Sequence, residues 1–188
     1  MLNFPESALK LVQIQSVFTD MRMQQWRTDT LFTWQWWLLV ALLIIPWILW
    51  FCIIDKKRLT EIVLLGMFML ATASWMDDLG TDLILWHYPF KLLPVYPQLL
   101  PINYAVLPVT YMLIYQYFRS WNSYLKALTI MALLFSFIAE PALDYLGMYK
   151  MLCWQYYYSF PIYVLLGIFF RWLVEKILAI NKRYSCNN

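Results

Sequence analysis

The chain has 188 residues, 63% hydrophobic, 20% aromatic and only 13% charged, with a formal net charge of +3. A soluble domain carries about a quarter charged residues, so this composition excludes one and places the chain in a bilayer. The basic residues are scattered apart from Lys56-Lys57-Arg58, which excludes a nucleic-acid surface and leaves them as orientation signals.

A transmembrane helix needs about 20 mostly apolar residues, so the length allows about five crossings joined by short loops. The expected fold is an all-α integral membrane bundle of five transmembrane helices, preceded by an N-terminal amphipathic helix. Residues 1–30 form the interfacial segment and 31–188 a single membrane domain. The first residues lack the basic and apolar pattern of a signal peptide, so the first crossing is expected to stay in the protein. The C-terminal Ser185-Cys186-Asn187-Asn188 lacks the aliphatic pair of a prenylation signal.

In the N-terminal segment, Leu11, Ile14, Phe18 and Met21 share one helical face, and Asn3 with Glu6 makes a helix start. Such a helix lies in the membrane interface or against the bundle's own outer surface. Residues 31–54 carry no charge and place Trp34, Trp36, Trp37, Trp47 and Trp50 near the two ends, the pattern of a crossing with interfacial anchors. Pro46 should kink it. A second crossing spans about 59–76, with Glu61 at its start and Ala71 to Ser74 as small packing residues near its end.

The stretch from Trp75 to Pro101 then interrupts the apolar pattern with Asp77, Asp78, Asp82, the only histidine, His87, and four prolines. A short helix followed by an extended, proline-broken turn that caps the bundle is expected here. Further crossings follow at about 102–118, 125–146 and 156–178. The cysteines Cys52, Cys153 and Cys186 have no metal-ligand spacing, and no disulfide, metal site or cofactor is expected.

Lysine and arginine counts set the orientation. The connections after the first and third crossings, together with the tail, hold Lys56, Lys57, Arg58, Arg119, Lys126, Arg171, Lys176, Lys182 and Arg183. The opposite connections hold only Lys91 and Lys150. The positive-inside rule then gives a multi-pass protein of the cell membrane with its N-terminus outside and its C-terminus in the cytoplasm.

Asp77-Asp78-Leu79-Gly80 matches Asp144-Tyr145-Leu146-Gly147, and Trp86-His87-Tyr88 matches Trp154-Gln155-Tyr156 near the same offset. The expectation is two hairpins repeated in the same membrane orientation. Glu140 lies about 21 Å along its helix from Lys126, inside the hydrocarbon, with Asp144 one turn beyond on the same face. Asp77, Asp78, Asp82, Glu140 and Asp144 thus form a candidate polar site near the outer boundary, where an intramembrane carboxylate reads as functional by default. Trp75, Trp86, His87, Tyr145 and Trp154 are the candidate lining. A packing role for Glu140, bonded to the break at Pro141 or to neighbouring tyrosines, is the competing reading. Arg171 and Glu175, one turn apart, read as a structural ion pair, with Glu61 as an alternative partner for Arg171.

The segments WMDDLGTDLILWHYPF, LPVTYMLIYQYFRSWNSYLK and FIAEPALDYLGMYKMLCWQYYYSF resemble a family of small, functionally uncharacterised integral membrane proteins of spore-forming Firmicutes. That resemblance implies a polytopic helical fold and no catalytic residues. A more distant similarity to membrane lycopene cyclases implies an enzyme alternative, with Glu140 or Asp144 as general acid on an isoprenoid chain. The leading expectation is a lipid- or small-molecule-binding or sensory protein. A subunit of a larger membrane complex is the third class, favoured if Gly66, Ala71 and Ser74 face lipid. Membrane lipid is the expected partner, with a second membrane protein or a further copy of the chain as alternatives.

Overall fold

The computed structural model describes residues 5–185, so the Asn3 helix start and Cys186 lie outside the described residues. Among the described residues the regular structure is helical apart from one two-residue strand pair. The helices are α1 (Glu6–Gln25), α2 (Trp34–Ile53), α3 (Leu59–Asp82), α4 (Leu107–Tyr117), α5 (Trp121–Leu134), α6 (Glu140–Tyr145) and α7 (Tyr156–Ser185). Strand β1 (Trp86–His87) pairs antiparallel with β2 (Lys150–Met151), Trp86 opposite Met151 and His87 opposite Lys150.

Helix starts follow local capping chemistry. The Thr33 hydroxyl accepts from the Trp36 amide at 3.4 Å, and Ser120 accepts from the Ser123 amide at 3.2 Å. Each satisfies an amide that the first helical turn leaves without a partner. Five-residue π-helical turns at Ile102–Val106 and Phe135–Ala139 precede Pro108 and Pro141. A proline removes the donor for the carbonyl four residues back. Behind Pro108 that carbonyl belongs to Tyr104, and it accepts instead from the Trp47 indole at 3.0 Å.

Among the described residues three helical stretches are long and apolar enough to cross a membrane: Trp34–Ile53, Lys56–Asp82 and Trp121–Tyr145. The other two expected crossings do not join that set. Residues 102–117 form only a five-residue turn and an eleven-residue helix, and α7 carries Arg171, Glu175 and Lys176 in its second half. The second expected crossing is longer than its sequence suggested, because α3 continues past Met76 to Asp82. The short helix expected after Trp75 is therefore the last turns of α3. Its polar residues do not end it: Asp77 bonds to the segment that follows, and the Thr81 hydroxyl donates to the carbonyls of Asp77 and Asp78 within the helix.

The main core lies where α3 and α4 meet α5 and α7, around Ile62, Leu65, Met69, Tyr111, Met112, Tyr124, Leu128 and Val174. A smaller cluster of Leu39, Tyr88, Leu99, Met148 and Tyr149 sits under the connections at the β-paired end. Gly66 and Ser74 are buried inside the chain, Gly66 against Met112, while Ala71 is exposed. Helix α1 has no buried residue, and Leu11, Ile14, Phe18 and Met21 are all exposed. Only its last turns reach the body. There Arg22 donates to the Val95 carbonyl at 3.3 Å, Gln25 to Pro89 at 3.1 Å and Trp26 to Lys91 at 3.1 Å.

Candidate functional site

Asp77 organises the β-paired end. It is 6% exposed and accepts four hydrogen bonds: from Trp86 Nε1 and Tyr88 Oη at 2.7 Å each on Oδ1, and from the Leu99 amide at 3.1 Å and Asn103 Nδ2 at 2.6 Å on Oδ2. A carboxylate offers about four lone-pair sites, so Asp77 is saturated. These bonds tie α3 to β1, to the proline-rich segment and to the turn before α4. Gly80, one turn further along α3, leaves the space that the Trp86 ring fills; a Cβ there would overlap the indole. Burial and the adjacent Asp77 push the Tyr88 hydroxyl well above its ordinary range, which keeps it a donor.

Glu140 stands on the α6 side of the same region and is bonded differently. Tyr163 Oη donates to Oε1 at 2.9 Å and Ser159 Oγ to Oε2 at 3.0 Å, and the Trp154 indole donates in turn to Ser159 at 3.0 Å. One lone-pair site on each oxygen is left over. The Phe137 carbonyl freed by Pro141 is not its partner; Glu140 bonds across to α7.

A cavity of about 140 Å³ lies between these two carboxylates, in the space bounded by α3, α4, α6 and α7. Met69, Ala73, Met76, Leu107, Ile162 and Leu166 give it apolar walls, and Trp86, Tyr88, Tyr149, Trp154 and Tyr163 give it aromatic ones. Of the candidate polar site, Asp77 and Glu140 reach this cavity. Asp144 is drawn to the surface, where it accepts from Tyr156 Oη at 3.0 Å and pairs with Lys150 at 3.4 Å. Asp78 is half-buried with Oδ1 unpartnered, and Asp82 is exposed. Of the candidate lining, Trp86 and Trp154 face the cavity. Trp75 is exposed, Tyr145 is 92% exposed, and His87 faces a separate cleft beside α1.

Sequence reasoning passed over Asn103, Ser159, Tyr163, Tyr88 and Tyr149. The available signals were the lone amide of Asn103 in an apolar run, and the spacing of Ser159 and Tyr163, one turn apart on one face.

At the opposite end Arg171, 4% exposed, donates to Glu175 Oε1 at 2.9 Å and to the carbonyls of Phe118 at 3.1 Å and Arg119 at 2.5 Å. Its guanidinium lies over the rings of Trp121 and Tyr124 at 4.4 and 4.5 Å. Glu61 is engaged elsewhere, by Arg58 and by Tyr115 Oη at 3.1 Å. Each guanidinium nitrogen of Arg171 thus donates a hydrogen bond, and two of the three close the link between α4 and α5, which is a structural task.

Among the described residues no three His, Cys, Asp or Glu side chains come together as a metal site would require, and Cys52 and Cys153 are free thiols. No family model, curated protein or solved structure matches the chain.

Proposed function

We propose that the protein is a multi-pass membrane protein that binds a small, mostly apolar molecule, or the ring or branch of a lipid, in the cavity beside Glu140. The observation that carries this reading is the contrast between the two carboxylates on the cavity wall. Asp77 has no acceptor capacity left, whereas Glu140 keeps one free site on each oxygen and faces an apolar space. Apolar pockets with a few placed polar groups are the usual form of small-molecule sites. A cavity of about 150 Å³ accommodates a benzene-sized molecule, so one ring or a short branched chain carrying a hydroxyl or amino group fits the space.

Five crossings are the architecture that best accommodates this site. The β1–β2 pair, Asp77 and Glu140 gather at one end, and Asp55, Arg58, Gln116, Arg119 and Arg171 interlink at the other. Alternating passage of α2, α3, the 102–117 segment, α5–α6 and α7 brings those groups to their respective ends. The basic end is cytoplasmic, and the cavity opens toward the outer half of the bilayer. The two connections at the outer end belong to repeated hairpins, supported by the like placement of Asp77 before Tyr88 and Asp144 before Tyr156. Helix α1, with no buried residue and with Leu11, Ile14, Phe18 and Met21 exposed, lies in the outer interface.

Native mass spectrometry of the full chain, released from a mild detergent with lipids retained, tests the binding reading. The wild type should carry a bound species that Ala73→Leu, which fills the cavity, displaces and that Glu140→Gln weakens. Equal retention by all three proteins would remove the proposal. The aromatic wall around Glu140 also favours a second reading, acid-base chemistry on an isoprenoid ring with cationic intermediates held against Trp86, Trp154 and Tyr149. Feeding polyenes to expressing cells decides it, since unchanged carotenoids leave binding alone.

A further inference from the structure

We propose that the cleft between the last turns of α1 and the 87–94 segment is a phosphate-binding site, with Lys91 and Arg22 supplying its positive charge. The cleft measures about 30 Å³ and is lined by Arg22, Gln25, Trp26, His87 and Lys91 among others. That volume admits one or two phosphate oxygens and leaves the remainder of the group outside. Lys91 is 9% exposed, and none of the ion pairs among the described residues includes it or Arg22. Arg22 Nε is buried without a hydrogen-bond partner.

Lys91 is buried and Arg22 half-buried on one cleft, and although the Arg22 guanidinium donates to the Val95 carbonyl, neither cation is paired with an anion among the described residues. Burying a charge is costly when it is neither paired nor hydrogen-bonded, and like charges add to that cost. Asp77 offsets it only in part: its charge favours the Lys91 ammonium, but it forms no ion pair with Lys91, and all four of its lone-pair sites are taken by Trp86, Tyr88, Leu99 and Asn103. Burial and the Arg22 charge together hold the Lys91 ammonium down to about 8, and burial and Lys91 lower His87, so His87 enters the site as a neutral ring. The backbone is arranged to expose these groups: the carbonyls of Pro89 and Lys91 are taken by Gln25 and Trp26, which fixes α1 over the segment and leaves the two cationic heads facing the gap.

Phosphate matches this pair because a guanidinium can hold it with two parallel bonds while an ammonium adds a point charge. A lipid headgroup or a free phosphate ion would present the same chemistry. The assignment rests on the membrane placement of the bundle and is independent of the cavity beside Glu140.

The test is thermal unfolding of the full-length protein in a neutral maltoside detergent, followed by tryptophan fluorescence. One arm compares sodium phosphate with sodium chloride at matched ionic strength. The other compares mixed micelles containing phosphatidylglycerol with micelles containing diacylglycerol of the same chains. At least one phosphate-bearing addition should raise the wild-type midpoint by about 2–4 °C or more, a shift that Glu140→Gln retains. Lys91→Met should abolish the increment while matching or exceeding wild-type stability in chloride, as expected when an unpaired buried charge is replaced by an apolar chain. Arg22→Gln should weaken half-saturation about tenfold or more. A shift in both arms identifies the phosphate group itself as the ligand, and a shift in the lipid arm alone identifies the headgroup as its source. No shift in either arm, an equal shift in Lys91→Met, or a Lys91→Met protein clearly less stable than wild type in chloride overturns the proposal.

Discussion

Replacing Asp77 by asparagine changes one atom and should disable the joint on which the β-paired end depends. The amide nitrogen must occupy one of two positions, and each faces two donors. On the Oδ1 side the Tyr88 hydroxyl can rotate to accept, but the Trp86 indole cannot. On the Oδ2 side Asn103 can turn its amide over, losing its 3.3 Å bond to Gln98, but the Leu99 amide cannot. One fixed donor is therefore orphaned, and the remaining bonds lose the assistance of the negative charge. An orphaned buried donor costs about 1–3 kcal/mol, and the difference between charged and neutral acceptors adds roughly 0.5–1 kcal/mol for each remaining bond, giving a loss of about 3–6 kcal/mol. For a chain of this length each kcal/mol lowers the midpoint by about 2–4 °C, so a fall of about 6–24 °C is expected. The assay is thermal unfolding in detergent, read in parallel by near-ultraviolet circular dichroism, which reports the fixed environment of Trp86. A fall below about 3 °C with the aromatic signal unchanged would refute the reasoning.

Gly80→Ala should cost about 1–3 kcal/mol, because the added methyl displaces the Trp86 ring. In a Trp86→Ala background the same change should be nearly silent, and a double-mutant cycle of unfolding midpoints measures the difference. Ile84 is exposed and holds a left-handed backbone at φ 57°, which costs a β-branched residue about 1–2 kcal/mol. Ile84→Gly should therefore raise stability by about 1 kcal/mol, and a lowered midpoint would show that its side chain is anchored after all. Lys91, faced by Arg22, His87, Tyr88 and the field of Asp77, titrates near 8 when folded against an ordinary 10.5. Without added phosphate the unfolded chain binds more protons between those values, so wild-type stability should rise with pH from about 8 to 10.5 relative to Lys91→Met. Parallel profiles for the two proteins would place no depressed ammonium at residue 91.

The apolar runs revealed α2, α3 and the α5–α6 stretch because each is long and little interrupted, which is what hydropathy measures. The 102–117 stretch is apolar and also buried in protein, with Tyr111, Met112 and Ala105 sealed from any solvent, and burial by helices leaves the same hydropathy as burial by lipid. The extension of α3 through Asp77, Thr81 and Asp82 was hidden because polar residues normally announce a helix end, and Asp77 is satisfied here by partners distant in sequence. Leu99 and Asn103 lie more than twenty residues beyond Asp77, a pairing no local pattern contains. The prominence of Asp77 and Glu140 was legible from charge in an apolar chain. Their unequal saturation was not, since it depends on which neutral donors the fold delivers to each.

That inequality also bears on the two related segments. At the 67-residue offset that aligns Asp77 with Asp144, Glu140 aligns with Ala73, and both of these line the cavity. On the proposed repeat, one hairpin presents a methyl group and the other a carboxylate at matching positions. Asp77 and Asp144 both accept from a tyrosine hydroxyl in the connection that follows, at 2.7 and 3.0 Å, and so fasten their own loops. The difference between the hairpins falls on the pair that faces empty space. A structural carboxylate is most useful where donors already converge, and adding one at an apolar wall costs stability unless something binds there. On the binding reading proposed above, Ala73 makes room in the cavity that both residues line and Glu140 supplies the polar contact.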